Sequence, residues 1–92
     1  MEDDEFEWDD AKAAANRRKH NITFADARRV FDDESCYIEF VGADSHSEDR
    51  YGIVGALGSR IIYVSYTERG RRIRIISARK ATPYEQRKYH RN

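Results

Sequence analysis

Apolar residues fall at helical spacing in the first third of the chain and at strand spacing beyond it. Asp9 or Asp10 can cap a helix through AKAAANRRKH, where three consecutive alanines favour the helical state and Arg17, Arg18 and Lys19 in the last turn complement its dipole. Asn21 suits a left-handed stop, because its short polar side chain tolerates that backbone conformation. A second helix is predicted from Thr23, with Asp26 three residues on as a partial capping box. Phe24, Ala27, Val30 and Phe31 share one face of it, and Asp32 and Asp33 end it.

CYIEFV at 36–41 is rich in aromatic and branched residues and reads as a strand, followed by the polar loop GADSHSED. YGIVGAL at 51–57 and RIIYVSYT at 60–67 form a hairpin across Gly58 and Ser59, and Gly70 turns the chain again into RRIRIISAR. There Ile73 and Ile75 point one way while Arg72, Arg74 and Ile76 point the other. Thr82, Pro83 and Glu85 then supply cap, first-turn proline and capping-box acid for a last helix, TPYEQRKYH. FEW at 6–8 is a candidate short edge strand. The expected architecture is α+β: two N-terminal helices packed on one face of a four-stranded antiparallel sheet, five-stranded if FEW joins it, with a C-terminal helix. The other face stays partly open.

At 92 residues there is room for one domain, 1–92, because so short a chain cannot bury two cores. Residues 1–5 are expected to form a disordered acidic start. No apolar run reaches the roughly 18 residues of a membrane span, and MEDDEFEWDD is acidic where a targeting signal would be basic, so the expectation is a cytoplasmic protein without a membrane partner. Cys36 has no second cysteine to pair with and reads as a small buried apolar residue. No Cys/His spacing suggests zinc, and neither metal nor cofactor is expected. HExxH, GxGxxG, P-loop and GxSxG patterns are absent, which removes support for metalloprotease, dinucleotide, nucleotide triphosphate and serine hydrolase chemistry.

The formal net charge of zero conceals two opposed halves. Residues 1–49 hold 15 acidic against 6 basic residues, and residues 50–92 hold 2 acidic against 11 basic, balances of −9 and +9. Such asymmetry points to an anion-binding surface in the second half, with nucleic acid the commonest large cytoplasmic anion, or else to mutual neutralisation across the fold. Thirteen of the 17 basic residues are arginine, whose fork pairs with phosphate two-pronged. Arg72 and Arg74 on alternate strand positions, with Arg69, Arg71 and Arg79 around them, line one side of the sheet.

Cleaving RNA without a metal requires a base for the 2′-hydroxyl, cations for the phosphorane and an acid for the departing 5′-oxygen. Arg79 and Lys80, where the last strand meets the last helix, suit the phosphate or are solvated charges at a strand end. Glu68, one of two acids in the basic half, is a general base or a carboxylate that holds arginines in place. His20 is an acid or base, or caps a helix carbonyl; His46 and His90 read as solvated surface. Trp8 stacks on a base or anchors the core, and Tyr89 hydrogen-bonds a phosphate or packs.

FEWDDAKAAANRRKHNITFADARRVFDD, DRYGIVG, YTERGRRIRIISARKAT and the trailing E...Y resemble the BrnT toxins of bacterial type II toxin–antitoxin systems, from Phe6 to Tyr89. The resemblance implies a RelE-like ribonuclease fold, translation inhibition by metal-independent RNA cleavage, and neutralisation by a BrnA-like antitoxin that carries the only DNA contact, with a higher-order toxin–antitoxin oligomer as one form of the complex. On that basis Arg79, Lys80, Glu68 and His20 are the catalytic candidates, with Arg79 on the phosphorane and Glu68 or His20 as base. Arg69, Arg72, Arg74, Trp8 and Tyr89 are the RNA-binding candidates. One departure is Asn21, where relatives commonly have glycine after the K-H pair. The alternative is a non-catalytic RNA-binding or antitoxin-binding module of the same fold.

Overall fold

The computed structural model describes residues 1–43 and 48–91, which leaves His46 outside the described residues. In chain order the elements are β1 (Phe6–Glu7), α1 (Asp10–His20), α2 (Phe24–Ala27) continued by a 3₁₀ segment (Arg28–Asp32), β2 (Tyr37–Ala43), β3 (Asp49–Leu57), β4 (Arg60–Arg69), β5 (Arg72–Lys80) and α3 (Pro83–Arg91). The expected caps are present. Asp9 accepts from the Lys12 amide, Thr23 from the Asp26 amide, and Asn21 sits left-handed at φ 56° with its N–H on the Arg17 carbonyl. The second helix departs from expectation only in tightening to 3₁₀ geometry after Ala27.

The strands form one sheet in the order β1-β5-β4-β3-β2. The meander β2 to β5 is antiparallel as expected, with Gly58 and Gly70 at φ 62° and 60° opening its two tight turns. FEW does contribute an edge strand, but the sheet is mixed rather than antiparallel: β1 runs parallel to β5, with Phe6 opposite Ile73 and Glu7 opposite Arg74. A parallel neighbour requires a long connection, and here the whole helical layer and meander supply it. The acidic start, expected to be disordered, folds against this edge instead. The Asp3 carboxylate accepts from the amides of Glu5 and Phe6 and from Arg28, and Ile73 donates to the Glu5 carbonyl.

Alternation along the strands separates two faces. Ile53, Leu57, Ile62, Val64, Tyr66, Ile75 and Ala78 pack with Ile22, Phe24, Ala27 and Val30 from the helical layer, and Phe6 closes the end of this core. Each fully buried Ile or Phe contributes about 1.5–3 kcal/mol, against roughly 0–1 kcal/mol for an exposed ion pair, so this layer rather than the charge network holds the fold together. Contact is close enough that a Cβ on Gly55 would lie 2.7 Å from Val30. Trp8, half-buried, packs against the same layer, edge-on to Phe24 with ring centroids 5.9 Å apart, so it anchors the core there.

β5 carries one irregularity that matters for everything below. Ser65 pairs with Ser77 but Tyr66 pairs with Ile75, so Ile76 is an extra residue. A bulge of this kind shifts the alternation by one. Before it, Ile73 and Ile75 face the helices; after it, Ala78 does, and Arg79 and Lys80 exchange the faces that strict alternation would assign them.

The C-terminal helix lies across the face opposite the other two. No residue of α3 is buried, and its attachments are polar or aromatic. Tyr37 donates to the Glu85 carbonyl, Lys88 sits over the Tyr37 ring, and Arg79 lies between the Tyr63 ring and the Glu85 carboxylate. The face is therefore partly covered, and its β1 side with Arg72 and Arg74 lies beyond these contacts.

Candidate active site

Asn16 is buried in α1 and sews that helix to the sheet. Its amide nitrogen donates to the Ile22 and Ala78 carbonyls at 3.1 and 2.9 Å, and its oxygen accepts from the Ala78 amide at 3.1 Å. Residues four apart share a helix face, so His20 follows Asn16 toward the same end of β5. The bulge at Ile76 turns Lys80 to that side too. His20 and Lys80 consequently line one cleft of about 480 Å³ with Arg60 from the start of β4 and His90 and Gln86 from α3; Asn21, Ser59 and the edges of Ile22, Ile61 and Ile62 complete it.

Two imidazoles, an ammonium and a guanidinium thus border one opening, with no carboxylate among the lining residues. Among the described residues neither Arg60 nor Lys80 has an acid within ion-pair distance. Cations left without carboxylates around a concave surface attract an anion, and imidazole is the side chain that both takes and gives protons near neutrality. Among the described residues no group of three His, Cys, Asp or Glu side chains is arranged to hold a metal ion.

The remaining expected site residues lie elsewhere. Arg79 is one residue from Lys80 but on the other face, bidentate to Glu85 at 2.9 and 3.1 Å and 4.1 Å over the Tyr63 ring. The Glu85 hydrogen bonds raise the Arg79 pKa further. Burial opposes ionisation of Glu85, yet Arg79 and the Thr82 amide hold its carboxyl below the usual range. Glu85 also closes the expected capping box with Thr82, so the pair ties α3 to the sheet. Glu68 is exposed at the far end of β4 and makes no ion pair with an arginine among the described residues; its charge adds to burial in pushing the Tyr66 hydroxyl up to about 12.

Arg69 is bidentate to Glu48 at 2.9 Å for both bonds, and Arg74 meets Glu7 at 2.6 Å on neighbouring strands. Arg72 donates to the Asp3 carbonyl at 2.7 Å. Tyr89 donates to Asp33 at 2.6 Å, which pushes its own pKa up to about 12. Burial raises the Asp33 carboxyl, but hydrogen bonds from Tyr89, Ala56 and Ser35 bring it below its ordinary value. That contact anchors α3 one residue before His90.

Sequence reasoning missed Arg60 and passed over His90 as surface. Neither belongs to a local motif; Arg60 opens a hairpin strand and His90 closes a helix, and they meet His20 only because α3 returns past the hairpin end.

A family model for BrnT, ribonuclease toxin of type II toxin–antitoxin systems, matches residues 8–85. The chain belongs to the BrnT toxin family. No curated protein matches it. Of the charged and imidazole residues of the cleft, the BrnT match takes in His20, Arg60 and Lys80, and it ends before Gln86 and His90; the acidic segment before Trp8 also lies outside it. A type II system implies an antitoxin partner for this BrnT chain. No helix among the described residues is long and apolar enough to cross a membrane.

Proposed function

We propose that this BrnT-family chain is a metal-independent endoribonuclease, RelE-like in lineage, that cuts RNA in the His20 cleft and so inhibits translation. The observation that carries the reading is the cleft itself, where His20, Arg60, Lys80 and His90 converge without a carboxylate. One imidazole accepts the ribose 2′-hydroxyl proton as the 2′-oxygen bonds to phosphorus. Lys80 and Arg60 stabilise the added charge on the phosphorane, and the second imidazolium gives its proton to the 5′-oxygen as the P–O5′ bond breaks. The products are a 2′,3′-cyclic phosphate and a 5′-hydroxyl. This revises the assignment suggested by the sequence, since Arg79 and Glu68 stand outside the cleft and Arg79 serves to seat α3.

A cognate BrnA-like antitoxin neutralises the enzyme by covering the cleft with acidic side chains beside an apolar anchor, because exposed charge pairs alone contribute little affinity. Contact with DNA runs through the antitoxin. The test is induction in a bacterial host with RNA ends mapped by sequencing. New 5′-hydroxyl ends and arrested growth are expected for the natural chain and not for Lys80→Ala. Intact transcripts with both, or equal cleavage by both, would defeat the assignment.

A further inference from the structure

The β4–β5 turn forms a second basic cleft, of about 430 Å³, lined by Arg69, Gly70, Arg71, Arg72 and Asp4. Asp4 belongs to the acidic segment that precedes the family match. That segment is shaped for its position: Asp3 spends its own carboxylate on the amides of Glu5 and Phe6 and on Arg28, which together hold its pKa down to about 2. The turn so formed lays the Asp3 carbonyl on Arg72 at 2.7 Å and brings Glu2 to 3.8 Å from the same guanidinium. Arg71 is exposed, with no acid in ion-pair range among the described residues. Arg69 is held by Glu48, Arg72 is partly answered by Glu2 and the Asp3 carbonyl, and Asp4 lines the cleft beside Arg71 without an ion pair of its own, so the concavity has the character of an anion site with acidic competitors at its edge.

We propose that this cleft is a second subsite for the RNA backbone, and that Glu2 and Asp4 compete with phosphate for it. The proposal rests on the ribonuclease reading above, because the turn lies at one end of β5 and Lys80 at the other. The nine-residue strand spans roughly 30 Å, a distance that one extended RNA can bridge while its scissile bond sits in the His20 cleft. Displacement is feasible because the competing contacts are exposed, and exposed ion pairs are weak and salt-screened. A polyanion that releases counterions on binding outbids them at low salt.

The test is fluorescence anisotropy with a labelled single-stranded oligonucleotide of about 20 residues carrying 2′-O-methyl groups, titrated with the full chain over a salt series. This probe lacks the attacking hydroxyl, so binding is read whether or not the other cleft cuts RNA. Glu2→Gln/Asp4→Asn is expected to tighten binding about 3- to 10-fold at low salt and to steepen the salt slope by about one. Adding Arg71→Ala is expected to cancel most of that gain. Affinity within twofold of the parent for Glu2→Gln/Asp4→Asn would overturn the proposal, and so would a gain that survives Arg71→Ala, since net charge alone would then explain it. Poly-glutamate displacing the oligonucleotide as well as unlabelled RNA does would instead assign the cleft to an acidic protein partner and overturn it too. Failure of RNA cleavage in cells would sink the ribonuclease reading while leaving these binding outcomes legible.

Discussion

The two ends of β5 carry opposite electrostatic designs. At its start lies the densest run of arginine in the chain, yet Arg69, Arg72 and Arg74 each meet an acidic residue or a carbonyl of the acidic half. At its finish the bases are fewer, and Arg60 and Lys80 stand around a cleft without a carboxylate. Counting charges along the sequence favours the first end, whereas the cleft bordered by uncompensated cations is at the second. At the first end a phosphate must displace acidic partners before it meets the guanidiniums, so the fields that the two ends offer differ more than their counts of cations suggest.

The largest effect should separate those ends kinetically. His20→Ala is expected to lower the cleavage rate of a 5′-labelled RNA by about 10² to 10⁴, and Lys80→Ala by about 10² to 10³, while Arg74→Ala stays within about tenfold. Equal losses at both ends would remove the distinction.

Next in size is the stitch that positions the cleft. Asn16→Ala leaves the backbone groups of Ile22 and Ala78 without their partner, and urea denaturation should show a loss of about 2–4 kcal/mol. A smaller effect is expected on the opposite face, where Glu85→Gln should cost about 1–2 kcal/mol by weakening the hold of Arg79 on α3. Because the Glu85 carboxyl is held below its ordinary value, its contribution is complete above about pH 5 and drains away as pH falls. Thermal melts from neutrality into acid should therefore fall less steeply for Glu85→Gln than for the natural chain.

Smallest is Tyr89→Phe, which removes the hydrogen bond to Asp33 at a cost of about 1 kcal/mol. Here the folded value is raised to about 12, so the stabilisation is present through neutrality and lost only as pH climbs toward that value. Melts above pH 10 or so should decline less in Tyr89→Phe, with buried Tyr66 sustaining the remaining decline. An unchanged cleavage rate in this variant would show that α3 keeps His90 in place by its other ties.

Much of the fold was readable locally. Asp9, Thr23, Asn21 and the Thr82–Glu85 box terminate helices by satisfying backbone groups a few residues away, and the apolar periods of the meander select one buried face, so each signal is complete within a short window. The direction of β1 and the side taken by α3 were not readable, because both depend on partners more than sixty and more than forty residues distant, Ile73 for β1 and Tyr37 for α3. Of the expected site residues, the fold brings His20 and Lys80 to one cleft and sets Arg79 on the other face of the strand against Glu85, a separation that neighbouring positions in the sequence do not reveal.

By itself the sequence determined the kinds of elements, their order, the family and the stock of cations from which a phosphate site could be built. The tertiary structure alone decided which of them face one another. A single extra residue at Ile76 turns Lys80 toward His20 and Arg79 toward Glu85, and hydrogen bonds from Asn16 fix the helix that brings His20 there. Register and long-range pairing are collective choices of the packed core, so no local window along the chain contains them.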